Sequence, residues 1–310
     1  MQEGGDLRRA FGRLKDPLFP YWTASVYGFR KWISRYGYYP KFLPLCIYTD
    51  HGPGDNGNLP APHEYASDAP VQFYHSSEAV ERWHERSDKE CHILYSPFVF
   101  ARRKLRILPD SGRSGSIYFV SHGNSALLDT NPEKLYLDEL KNISEKYRPI
   151  TVCLHFNEVC LGYVDFYNQN GYSVVTAGDP TDQEFTERFY RILSRAKYVI
   201  SNQFGSYALY AIEMGLPFGL YGTEPAYVNL ADPNIEEGQY ISYLKSDYYQ
   251  QAVALCNGLP GEELTSEQVA FARHYLGLDE GVGRVRMAII LYKSLVIWLV
   301  GKLKKRLVSE

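Results

Sequence analysis

From residue 116 to residue 222 the chain alternates short apolar runs with segments of helical period, and nothing else in the sequence restricts the fold as much. The stretches SIYFVSH, PITVCLHF, YSVVTAG, KYVISN and PFGLYG read as buried strands. Between them lie PEKLYLDELKNISEKY, GYVDFYNQNG and DQEFTERFYRILSRA, which read as helices. In the last of these, Phe185, Phe189 and Ile192 share a face. A shorter helix follows NQFGS. Strands that alternate with helices predict a parallel sheet with right-handed crossovers.

The first hundred residues carry a weaker version of the same pattern. FLPLCIYTD, APVQFYHS and CHILYSPF are predicted strands, with a helical SEAVERWHERSDK between the second and the third. Before them, Trp22, Val26, Phe29 and Trp32 stand at close to helical spacing. The basic, Gly/Ser-bearing run over 102–115 suggests a boundary. The expected organisation is therefore an N-terminal acceptor-side lobe over 1–109, a ligand-binding lobe over 110–260 and a C-terminal helical segment over 261–310. The expected fold is α/β, with two Rossmann-like lobes whose parallel sheets face a cleft.

Function is expected where those strands end. In open α/β sheets, ligands bind in the crevice beyond the carboxyl ends of the strands. The turn Asn202-Gln-Phe-Gly205-Ser206 sits at such an end and opens a helix, whose free backbone N–H groups attract phosphate. Gly205 would let the backbone approach a ligand, and Ser206 is a candidate N-cap with a spare hydroxyl. Ser206, Tyr210 and Glu213 fall on one helical face, with Tyr207 beside them. His122, Gly123, Asn124 and Ser125 follow the first strand of this half, and His155 and Glu158 follow the next. In the first half, Asp50 and His51 end a strand and could pair as base and orienter only if the turn geometry permits.

NQFGSYALYAIEMGLP resembles the nucleotide-binding segment of GT-B glycosyltransferases, in which a strand, a Gly or Gly-Ser turn, a helix and G-x-P follow one another. In retaining members a Glu five residues after the turn glycine holds the nucleotide ribose. Here Tyr210 stands at that place, and Asn202 stands where a further acidic residue is usual, so the pattern is nearer the inverting members. The order of strand-end DHG, then YSPF, VSHGNS and the Gly-Ser turn, is also similar to capsule and lipopolysaccharide glycosyltransferases and to CDP-glycerol-type polymer transferases. The resemblance covers residues 115–225.

It implies a nucleotide-sugar donor and a glycan or lipid-linked acceptor in surface polysaccharide biosynthesis. It also implies phosphate binding at Gly205, Ser206 and the 122–125 turn, and a catalytic base from His51 or Asp50, with Glu158 in reserve. Asp-x-Asp is missing from every strand end, so a metal-independent mechanism without cofactor is expected. Two other classes fit the same residues: a nucleotide-sugar epimerase, which needs an acidic cluster around the sugar, and a non-catalytic partner in a polysaccharide assembly complex.

Charge and cysteine usage bound the setting. A net charge of −3 gives no basic excess for nucleic acid. The 27 tyrosines, against 15 phenylalanines, suit contacts with sugars, because the ring packs while the hydroxyl still bonds. Five scattered cysteines without a CxxC pair indicate a reducing compartment. The charged start has no apolar core of a secretory signal, and no run has bilayer-spanning length, so a cytoplasmic location is expected. His51, His63, His75, His84 and His92 crowd together, but at spacings foreign to zinc motifs. The segment from Met287 to Val300 is almost wholly apolar and ends in Lys302, Lys304, Lys305 and Arg306. It suits either a buried helix or, through residues 285–307, peripheral contact with the inner face of a membrane.

Overall fold

The computed structural model describes residues 20–21, 23, 26–50, 52–54, 62–123, 127–229 and 243–308. In chain order the first part gives α1 (Phe29–Tyr36), β1 (Tyr48–Thr49), α2 (Pro62–Ala66), β2 (Gln72–Tyr74), α3 (Ser77–His84), β3 (Cys91–Ile93) and α4 (Pro97–Leu105). The second part gives β4 (Ser116–Phe119), β5 (Leu127–Asp129), α5 (Glu133–Asn142), β6 (Ile150–Cys153), α6 (Phe156–Cys160), α7 (Tyr163–Gln169) and β7 (Ser173–Val175). It continues with α8 (Phe185–Ser194), β8 (Tyr198–Ser201), α9 (Ser206–Glu213), β9 (Phe218–Leu220) and β10 (Tyr227–Asn229). Three helices close the chain: α10 (Asp247–Cys256), α11 (Ser266–Tyr275) and α12 (Arg284–Val308).

The fold is α/β with two parallel sheets and a long C-terminal helix. Strands β1, β2 and β3 form one sheet in that order, and the other runs β7-β6-β4-β8-β9. Strand β4 is central, paired on both sides by β6 and β8, and all four of its residues are buried. Its Ile117 and Phe119 belong to one core, while Tyr118 and Val120 belong to a second core on the opposite face. That alternation within a continuous apolar run is what a sheet covered on both faces requires. Strand β1 is shorter than FLPLCIYTD suggests. Pro44 has no N–H to give a ladder, and pairing begins only at Tyr48. The antiparallel pair β5–β10, with Leu128 opposite Val228, was not legible in the sequence.

The register sets where the loops emerge. Phe119 pairs with Cys153 on one side and Ser201 on the other, and Cys153 pairs with Val175. The loops after β4, β6, β7 and β8 therefore leave from one row. The strand order reverses between β4 and β8, which is the switch point at which open sheets bind ligands.

The two sheets share a core. One hydrophobic core runs from Phe29, Phe73 and Phe98 in the first part to Phe119, Phe189 and Tyr210 in the second. Phe98 stacks on Tyr210 with centroids 4.4 Å apart and planes 6° from parallel. Helix α4 holds α9 by charge as well. Glu213 Oε1 and Oε2 accept from Arg102 Nη2 and Nε at 2.7 and 2.9 Å, and Arg103 Nη2 adds a bond at 2.8 Å. The Glu213 side chain is 3% exposed, so the pair is buried.

Removing one partner of such a pair strands the other's charge. Glu213→Ala should cost about 3–5 kcal/mol, measured by urea unfolding, whereas Arg102→Met combined with Glu213→Leu should recover most of that loss.

Candidate functional site

A cavity of about 220 Å³ opens at the row of strand ends. Phe119, Val120 and His122 reach it from β4, and Cys153, Leu154 and His155 from β6. The loop after β7 supplies Thr176, Ala177 and Gly178, and the start of α9 supplies Ser206 and Tyr207. The first part of the chain closes it with Tyr27, Gly52 and Phe98.

The α9 turn differs from expectation in one detail. Gly205, not Ser206, occupies the N-cap position, with extended backbone (φ −134°) and no side-chain cap. Ser206 is the first helical residue, so its hydroxyl is not spent on capping. Glycine is required at 205 because a Cβ there would lie 2.7 Å from the Tyr207 ring. That ring is fixed by stacking on Phe119 at 4.6 Å and by a 2.8 Å hydrogen bond between its hydroxyl and Ser201 Oγ.

His122 and His155 stack with ring centroids 4.3 Å apart and planes 16° from parallel. The His122 carbonyl accepts from the Tyr227 hydroxyl at 2.8 Å, which ties the β4 loop to β10. His155 caps α6: its Nδ1 accepts from Asn157 N–H at 3.4 Å, which leaves the ring proton on Nε2. Both rings are neutral at pH 7. His122 keeps an exposed edge at the cavity, but desolvation by the protein around it lowers its pKa to about 4. Burial lowers His155 further, with a smaller contribution from His122.

Glu158 lies behind this pair rather than in the cavity wall. Its Oε2 is 3.7 Å from His155 Nδ1 and has no hydrogen-bond partner among the described residues. Burial raises its carboxyl to about 8, against backbone hydrogen bonds from Glu158 and Gly123 that pull the other way. At neutral pH it holds a proton, which suits a donor better than a base.

The structure gathers His122, His155, Ser206, Tyr207 and Tyr210 around the cavity. It places others differently. Asn202 is a strand tie: Oδ1 accepts from Ser121 N–H at 2.9 Å, and Nδ2 donates to Ser121 Oγ and Thr223 O, both at 3.0 Å. Glu213 is committed to Arg102 and Arg103, one helical turn beyond Tyr210. Gly123 accepts from Asn157 Nδ2 at 3.2 Å. Asp50 is half-buried and accepts from the N–H of Gly52, two residues on, which does line the cavity. His51, Asn124 and Ser125 lie outside the described residues, as does Trp22. Among the described residues no group of three His, Cys, Asp or Glu side chains is placed to hold a metal ion. The cysteines are free, and Cys153 lines the cavity with its thiol raised to about 12 by burial.

Sequence reasoning missed Tyr27 and the 176–178 loop. The latter ends a predicted strand and was findable on the same rule as His122. Tyr27 was not. It reaches the cavity through a left-handed turn, Tyr27 at φ 54° and Gly28 at φ 71°. Its N–H donates to Pro180 O, and its carbonyl accepts from Thr186 Oγ1, both at 2.6 Å. A Cβ on Gly28 would lie 2.6 Å from Gln183 O, so only glycine allows this close approach between distant segments.

The sequence matches no protein-family profile and no curated protein. Among solved structures it is similar to a variant of the wall teichoic acid polymerase TagF soaked with CDPG. One such structure gives a TM-score of 0.37 at 11% identity, covering 74% of this chain and 57% of that one. A second gives 0.32 at 10% identity, covering 74% and 58%. The chain thus spans less than two thirds of the TagF chain, and likenesses this slight carry no argument about what it does.

The buried carboxyl has a pH signature. In the fold Glu158 keeps its proton to about 8, against 4.5 when solvated. Its contribution to stability is therefore full below about 4.5 and lost as pH rises through about 8. Glu158→Gln should abolish that loss, so calorimetric melting scans should show the variant gaining on the native protein from acid to alkaline pH. For the imidazoles the sign is opposite, and nitrogen NMR shifts should show His122 protonating only near pH 4 and His155 protonating at lower pH than a solvated imidazole.

Proposed function

We propose that the chain is a glycosyltransferase that takes a sugar from a nucleotide-activated donor and passes it to a glycan or lipid-linked acceptor. The observation behind this reading is the convergence of three strand-end loops, those after β4, β6 and β7, and the α9 N-terminus on one cavity at the switch point of the sheet, walled on its far side by the first part of the chain. Its volume is below the range of about 300–1,000 Å³ usual for enclosed ligands. It fits part of a donor, such as the diphosphate or the sugar ring, rather than a whole nucleotide sugar.

The groups present suit a leaving diphosphate. The first N–H groups of α9 carry partial positive charge, and Ser206 adds a hydroxyl donor. His155 offers Nε2–H, and His122 offers one ring N–H while remaining uncharged. Dipoles fixed in a desolvated site stabilise developing negative charge without reorganising. The aromatic wall of Tyr27, Phe98, Phe119 and Tyr207 suits the apolar face of a sugar or base.

In the proposed reaction the acceptor hydroxyl loses its proton to a base and attacks the anomeric carbon as the nucleoside diphosphate departs. Asp50 and His51 are the bases assigned, since Glu158 is protonated at neutral pH and stands behind His155. The reaction is proposed as inverting and metal-independent, on the missing retaining glutamate and the missing Asp-x-Asp motif. The described cavity lining includes no carboxylate, which weighs against an epimerase.

Titration calorimetry with a panel of nucleoside diphosphates tests the reading. One of them should bind, and His122→Ala should weaken that binding about tenfold or more, the worth of a hydrogen bond to a charged group. If the folded protein binds no nucleotide of the panel, the donor assignment is wrong. Product configuration read by proton NMR checks inversion, and a retained anomer refutes it.

A further inference from the structure

Helix α12 is apolar on two opposite sides. Met287, Ile290, Leu291 and Leu295 are buried against the main core. Facing away from them, Val285, Ile289, Tyr292, Val296, Leu303 and Leu307 are all exposed, Ile289 at 63% and Leu307 at 74%. At about 100° per residue these six lie within roughly 60° of one another, a single row along the helix. Monomer surfaces rarely leave a contiguous apolar strip of this length uncovered. No helix among the described residues is long and apolar enough to cross a membrane, so this one would lie on a surface rather than span it.

The charges on the helix say what covers the row. Residues 284–308 hold seven lysines and arginines and no acidic residue. Lys293 and Lys305 are paired with Glu90 at 2.6 Å and Asp68 at 3.0 Å. Exposed Arg286 and Lys304 stand along one edge of the row, about 60° from Ile289 on the helical wheel. A second copy of the helix would bring cations against cations: side by side if parallel, and Lys302–Arg306 against Arg284 and Arg286 if antiparallel. A sheet of anionic headgroups over acyl chains satisfies both features.

We propose that α12 is a docking surface for an anionic lipid bilayer, entering the headgroup region along its exposed apolar row while its other face stays in the protein core. The proposal rests on no part of the transferase reading and can fail or stand without it.

Co-sedimentation of the full chain with vesicles provides the test. Binding is expected to vesicles of phosphatidylcholine mixed with phosphatidylglycerol, with little binding to phosphatidylcholine alone and a decline as salt is raised. Ile289→Ser with Val296→Ser and Leu303→Ser should weaken binding by at least about tenfold at unchanged melting temperature, because these side chains face solvent. Arg286→Gln with Lys304→Gln should cost about fivefold per cation removed. Failure to bind the mixed vesicles, or full binding by the serine variant, overturns the proposal. So does self-association in sedimentation velocity that the serine variant abolishes while no vesicle binding is seen, since that assigns the row to a second copy.

Discussion

Phe98 against Tyr210 is the contact on which the rest of the molecule depends. Each ring comes from a helix that belongs to a different sheet, and their stacking makes one core out of two. One turn further on, the same two helices are joined by Glu213 and the arginine pair. The stack supplies apolar burial, while the ion pair fixes how α9 is rotated about its axis. That rotation sends Ser206 and Tyr207 to the cavity, while Glu213, on the same face as Ser206 but two turns further along the helix, meets the arginines instead. A ligand site at this place thus inherits its geometry from a structural contact.

The chemistry of the cavity follows from desolvation. Around it lie His122, His155 and Glu158, three groups that water would leave partly or wholly charged at neutral pH. In the fold the neutral form of all three is favoured, by burial of His155 and Glu158 and by desolvation of His122 against the protein around it. The result is a set of polar donors without formal charge, ringed by aromatic side chains. An anion placed there would meet dipoles rather than formal charges, an arrangement that favours charge developing during a reaction over charge already present. It also explains why His122 and His155 can stack closely: two imidazolium rings at that separation would repel.

The C-terminal helix shows a related economy. One face completes the core beside α1, with Arg284 Nε donating to Tyr36 O at 2.9 Å, and the opposite face remains apolar and open. A helix apolar all round normally signals full burial. Here a row from Val285 to Leu307 is left exposed among the described residues.

Much of the second sheet was legible in the sequence. Continuous apolar runs at β4, β6 and β8 are what two-sided burial demands, and Phe185 and Phe189 declared the inner face of α8. The strand-end rule put His122, His155 and Ser206 at the cavity edge, because residues that follow buried parallel strands emerge where the sheet opens. The sequence could not separate Glu213 from the ligand groups beside it. A glutamate on the right helical face serves equally well as ligand contact or ion-pair partner, and only the position of Arg102, over a hundred residues away, decides between them. The same holds for Asn202, spent on tying two strands, and for Tyr27, brought to the cavity by a left-handed turn against the 180–186 segment. Local pattern determined the strands, the helices and the edge at which chemistry could sit. Tertiary structure alone decided which side chains share that edge and which charges survive there, because long-range contact and loss of solvent are properties of the packed molecule and not of any stretch of chain.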